Sequence, residues 1–157
     1  MFLKNCWYVA AWSKDIGRAL TAETFLNENI VLYRQEDGTP VALENACPHR
    51  KLPLSDGNLK GDHIECGYHG LTFDRSGRCV CVPSQKLIPP GACVRPYPTV
   101  EKQGFIHVWT GDRDPSSEEN APTTPGFRSC DKEQRERLAA SKSHRRLHWS
   151  ALCSQPT

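Results

Sequence analysis

Cys47-Pro48-His49-Arg50-Lys51-Leu52 and Cys66-Gly67-Tyr68-His69-Gly70 decide how this 157-residue chain is read. Each stretch supplies one thiolate and one imidazole, and sixteen residues separate His49 from Cys66. In an extended segment the side chains at i and i+2 point the same way, so Cys47 and His49 can reach one centre together. Pro48 stiffens the backbone between them. Gly67 and Gly70 permit the positive φ that a tight loop around a metal centre uses. The spacing thus predicts two loops clamping one centre from opposite sides, with Cys47, His49, Cys66 and His69 as its ligands.

A donor set of two thiolates and two neutral imidazoles suits a [2Fe-2S] cluster of the Rieske type, in which two Cys hold one iron and two His the other. Substituting imidazole for thiolate removes negative charge and raises the reduction potential. Two plainer readings compete. A structural zinc site usually opens with a Cys pair and closes with a His pair; here each half mixes the two, and Cys-x-His is too short for a zinc knuckle. Coincidence is the other, in a chain with eight Cys and six His. A single Cys-x-x-His would be weak, but the paired motif with Pro and Gly at loop positions is specific.

CPHRKLPLS at 47–55 and CGYHGLTFD at 66–74 resemble the Rieske domain of ring- and methoxy-attacking non-haem iron oxygenases. NCWYVAAWSKDI at 5–16, VPSQ at 82–85 and GFIHVWTGD at 104–112 extend the likeness, which is greatest to the vanillate O-demethylase type and ends near residue 112. The resemblance implies a mainly β fold, a small antiparallel Rieske-type β-sandwich with two cluster-binding loops. It assigns Cys47 and Cys66 to the buried iron and His49 and His69 to the outer one. It gives Tyr68 either a hydrogen bond to a sulfur or a role in shielding the cluster. Respiratory Rieske proteins carry an extra Cys in each loop; Leu52 and Tyr68 stand there instead, which fits a reducing compartment.

Working outward, Ile30-Val31-Leu32-Tyr33 and Pro40-Val41-Ala42-Leu43 read as strands joined through Asp37-Gly38, a hairpin that delivers the chain into Cys47. Trp7-Tyr8-Val9-Ala10 reads as a short strand, with Trp7 and Trp12 packing in the core and at its rim. Leu71–Asp74 and Arg78–Val82 read as paired strands, and Phe105–Trp109 as the last one. The prolines at 83, 89, 90, 96 and 98 mark a looping, edge-rich segment. His63 is expected on the surface and not as a ligand. Cys6, Cys79, Cys81, Cys93, Cys130 and Cys153 show no disulfide framework and are expected to serve as small, buried or half-buried packing residues.

Formal net charge is +2; residues 1–112 hold 12 basic and 12 acidic side chains, and residues 113–157 hold 8 and 6. An excess confined to a tail gives no support for nucleic-acid binding. No apolar run near the start is long enough for a signal peptide or a membrane span, so a cytoplasmic location is expected. Arg50 and Lys51, directly after the first ligand pair, suit docking of an acidic electron donor or a plain solvated loop.

Residues 113–157 read as an irregular or disordered tail. Asp131–Arg146 is polar with no apolar face. His144 and His148 stand at i, i+4, but no carboxylate follows Glu136. The mononuclear Fe(II) of an oxygenase needs two His and a carboxylate. The chain is therefore expected to be a Rieske domain (1–112) separated from its catalytic half, its tail being out-of-frame sequence, and not to oxygenate alone. The resemblance implies a flavin and iron–sulfur reductase as donor and a trimer for the full-length protein. The alternative is a self-contained Rieske ferredoxin.

Overall fold

The computed structural model describes residues 5–83 and 85–111, with Pro115; the expectations for the tail, including His144 and His148, lie outside the described residues. The described chain forms eleven strands in three antiparallel sheets, with no α-helix among them.

The first sheet has the order β1 (Cys6–Trp12), β11 (Phe105–Thr110), β10 (Thr99–Lys102). The second is β2 (Thr21–Phe25), β3 (Glu28–Arg34), β4 (Pro40–Glu44), β9 (Pro96–Tyr97). The third is β5 (Asn58–Lys60), β6 (His63–Glu65), β7 (Thr72–Phe73), β8 (Cys79–Cys81).

The second sheet is the shared wall. Side chains alternate across a strand, so Ile30 and Leu32 face one way and Val31 and Tyr33 the other. Ile30 and Leu32 join Ala42, Tyr97, Ile106 and Val108 in a core against the first sheet. Val31, Tyr33, Val41 and Leu43 join Leu54, Ile64, Phe73 and Val94 in a second core against the third sheet, and Cys47 and Cys66 belong to this second core. Burial on both faces explains why 30–33 reads as an unbroken apolar run rather than as an alternation. Gly38 takes φ +86° in the turn between β3 and β4, as its Asp-Gly signal requires.

Arg34, at the end of β3, ties the first two sheets together. It donates to the Ile16 carbonyl at 2.9 Å, the Gly38 carbonyl at 2.6 Å and Glu101 Oε2 at 2.7 Å. Tyr33 reaches the third sheet, its hydroxyl donating to the Asp62 carbonyl at 3.2 Å. Trp7 meets Trp109 edge to face with ring centroids 5.5 Å apart, and Trp12 packs on Phe105 at 4.2 Å, the packing expected of these rings.

Candidate metal centre

The two motifs occupy equivalent loops. In the first, the Cys47 N–H donates to the Leu52 carbonyl and the Lys51 N–H to the Cys47 carbonyl, both at 2.8 Å. In the second, the Cys66 N–H donates to the Leu71 carbonyl at 2.8 Å and the Gly70 N–H to the Cys66 carbonyl at 3.0 Å. Each is thus a six-residue frame from Cys to Leu, bonded at the same offsets. The fifth residue is left-handed in both, Lys51 at φ +57° and Gly70 at φ +71°. The positive φ expected at Gly70 is present. Gly67 differs from expectation. Its φ is not positive; instead the loops approach so closely that a Cβ there would lie 2.9 Å from the Asp56 carbonyl oxygen.

The loops are anchored differently. The second is a hairpin tip, its base closed by the pairing of β6 with β7. The first passes from β4 in the second sheet to β5 in the third. Its base is closed by side chains: Asn45 Nδ2 donates to Ser55 Oγ at 3.0 Å, and the Ser55 N–H donates to Asn45 Oδ1 at 2.8 Å.

All four predicted ligands lie on these loops. Cys47 and Cys66 are each 2% exposed, and their thiols interact. Burial pushes the Cys47 thiol up and the neighbouring Cys66 adds to the rise, while the backbone N–H groups of His49 and Arg50 favour the thiolate. His49 and His69 are exposed; their Nδ1 atoms stand 3.1 Å apart, with ring centroids at 4.6 Å. The donors therefore form a buried sulfur pair and an exposed nitrogen pair. Among the described residues no three His, Cys, Asp or Glu converge on one point.

Tyr68 is 61% exposed, and its ring packs on that of His69 with centroids 3.8 Å apart. Beside the imidazoles runs a groove of about 380 Å³, walled by Pro48, Leu71, Val82 and Pro89. Arg50 and Lys51 are exposed, with Lys51 Nζ 3.7 Å from Glu44. His63 is exposed on β6, as expected. The six Cys among the described residues are free. Cys79 is buried and Cys6 half-buried, but Cys81 and Cys93 are exposed, contrary to the packing role expected of them. Cys81 ends β8, the edge strand of the third sheet, and Cys93 forms an antiparallel bridge with Arg78 beyond that edge.

An all-β scaffold that presents two matched Cys/His loops at one end defines an iron–sulfur domain. The chain belongs to the Rieske [2Fe-2S] domain family, whose pattern residues 6–98 match. It is 51% identical over 112 residues to a putative toluene-4-sulfonate monooxygenase system iron-sulfur subunit from Comamonas testosteroni, covering 71% of this chain and 32% of that protein. It is 40% identical over 114 residues to a vanillate O-demethylase oxygenase subunit from Pseudomonas sp., covering 73% and 32%. A crystal structure of dicamba monooxygenase bound to dicamba superposes with a TM-score of 0.73 at 41% identity, covering 77% of this chain and 39% of that one. The chain thus spans about a third of the length of these curated relatives. No helix among the described residues is long and apolar enough to cross a membrane.

The sequence reading did not find Asn45 and Ser55. Their only signal is two short polar side chains bracketing the first motif, a pattern that turns also produce.

Proposed function

We propose that this chain is the electron-relaying Rieske domain of an oxygenase that attacks aromatic substrates, in the manner of an O-demethylase. In this reading Cys47 and Cys66 hold one iron of a [2Fe-2S] cluster, and His49 and His69 hold the other. When bound, such a cluster accepts and releases one electron at a potential that imidazole ligation raises. The chain's own residues keep the sulfur ligands dry, hold the imidazoles at the surface and leave each Nε2 free to exchange a proton or meet a partner's acceptor.

The observation that carries the reading is the pairing of donors across two loops with one hydrogen-bond pattern: thiols inside, Nδ1 atoms 3.1 Å apart outside. The apolar groove beside the imidazoles, with Arg50 and Lys51 nearby, suits an electron donor such as a flavin and iron–sulfur reductase. Free thiols fit a cytoplasmic setting. Oxygenation belongs to a mononuclear Fe(II) site supplied from outside residues 1–112, and a trimer would bring such a site to a neighbouring subunit's cluster. The alignments of about 112 residues support a domain of 1–112, with 113–157 as a separate tail.

The test is the absorption and EPR spectrum of the purified chain, with iron and sulfide analysis. The expected result is a Rieske signal in a preparation that a reductase reduces but that releases no formaldehyde from a methoxybenzoate. A colourless preparation with stoichiometric zinc overturns the cluster assignment, and formaldehyde release overturns the division of labour. Relay of electrons to a separate oxygenase would instead mark the chain as a ferredoxin.

A further inference from the structure

The two cluster loops share their internal hydrogen bonds but not their foundations. Residues 66–71 sit on a ladder, where β6 and β7 pair Glu65 with Thr72 and Ile64 with Phe73. Residues 47–52 have no ladder beneath them, because β4 and β5 lie in different sheets. Between those strands the Asn45 amide is the cross-link. It accepts from the Ser55 N–H at 2.8 Å and donates to Ser55 Oγ at 3.0 Å. The Asn45 N–H in turn donates to the Asn29 carbonyl at 2.9 Å, anchoring the clasp to the start of β3. Asn45 is 9% exposed. A buried amide is retained at a desolvation cost that only satisfied hydrogen bonds offset, and these bonds span the loop carrying Cys47 and His49.

We infer that Asn45 is a positioning residue for the cluster: its clasp with Ser55 does for the first loop what strand pairing does for the second, setting where Cys47 and His49 meet the ligands from 66–69. It rests on Cys47 and His49 being cluster ligands. The clasp holds a pair of ligands at their base, so loosening it frees the ligands without unfolding the sheets. Partners that orient metal ligands typically contribute tenfold or more in metal retention.

The experiment uses the full chain and follows bleaching of the visible spectrum under an iron chelator, well below the melting temperature, together with the EPR line shape. Asn45→Ala removes both bonds and is expected to shed the cluster about tenfold faster, with broadened EPR lines. Ser55→Ala removes one bond and is expected to shift retention in the same direction by less. Asn45→Asp can accept from both the Ser55 N–H and its hydroxyl, and is expected to retain the cluster nearly as the unsubstituted chain does. Tyr33→Phe is the control, since it removes a buried hydroxyl's bond between the same two sheets but away from the loops. It is expected to lower melting while leaving bleaching unchanged.

Asn45→Ala with normal bleaching and EPR overturns the inference. So does Tyr33→Phe bleaching as fast as Asn45→Ala, which would make the effect one of general stability. If Asn45→Ala fails to fold, Ser55→Ala decides, and its normal retention overturns the inference. A cluster missing from the unsubstituted chain is a different result, one that removes the ligand assignment itself.

Discussion

Gly70→Ala separates the two loops by the chemistry of their fifth residue. Gly70 is at φ +71°, and a Cβ there would lie 2.9 Å from Pro83 Cγ. Holding an L-residue in the left-handed region costs about 1–2 kcal/mol. Crowding the proline ring adds about 1 kcal/mol, and the loss of glycine's freedom in the unfolded chain returns roughly 0.5–1 kcal/mol. The net destabilisation is about 1–2 kcal/mol, which for a domain of this size lowers the melting temperature by roughly 10 °C. Lys51, at φ +57°, occupies the same position in the other loop and already bears the strain. Lys51→Gly relieves about 1–2 kcal/mol of strain but loses roughly 0.5–1 kcal/mol to backbone freedom and an exposed pair with Glu44 that contributes little. It should be neutral or slightly stabilising. Thermal unfolding of the apoprotein, followed by circular dichroism, reads both substitutions. If Gly70→Ala melts with the unsubstituted protein, the fifth residue can leave the left-handed region, and the common six-residue frame is not what holds the loops.

Leu54 is fully buried just beyond the first loop, and Leu54→Ala should cost about 2–5 kcal/mol in chemical denaturation. His107 is 1% exposed, and neither ring nitrogen has a hydrogen-bond partner among the described residues, although the Val100 and Phe105 backbone lies alongside. Burial lowers its pKa from the ordinary 6.5, so the unfolded chain takes up a proton first and stability declines as pH falls from 6.5 towards the lowered value. His107→Leu should raise stability by about 1 kcal/mol and flatten that decline, which melting curves between pH 5 and 7 would reveal. Arg34 first, and then the Ser13 hydroxyl, hold Glu101 below its ordinary 4.5. That contribution is full above 4.5 and lost as pH falls through the lowered value, so Glu101→Gln should flatten the acid limb of the stability profile, less so in high salt because the side chain is 39% exposed.

The two Cys/His motifs were legible because few donor sets mix thiolate and imidazole in equal halves. β3 and β4 were legible because their apolar runs are continuous and bounded by turn residues, and β11 because Phe105, Ile106, Val108 and Trp109 flank His107 in a β-branched and aromatic run. β5, β6 and β9 were not, since two or three residues carry no readable period and β5 is polar at Asn58 and Lys60. The kinship of the loops was hidden because the spacing from Cys to His differs, two residues in one and three in the other. What they share is the span from Cys to Leu, visible only in the backbone hydrogen bonds. Gly67 looked like a turn residue, and its role in close approach depends on Asp56, eleven positions away. Cys81 and Cys93 misled because cysteine is usually buried, and local sequence does not show that β8 lies at a sheet edge.

A wall that is greasy on both sides has a side effect. Slide β3 by one residue, and the hydrophobic pattern scarcely objects, because Ile30 and Leu32 merely trade layers with Val31 and Tyr33. Proofreading of the alignment then falls to details: the tight bend at Gly38, the Arg34 guanidinium that must find five acceptor atoms, and one phenol that has to arrive opposite Asp62. Any slippage would travel along β4 and carry Cys47 away from Cys66, so the fidelity of one hairpin decides whether the sulfurs meet at all.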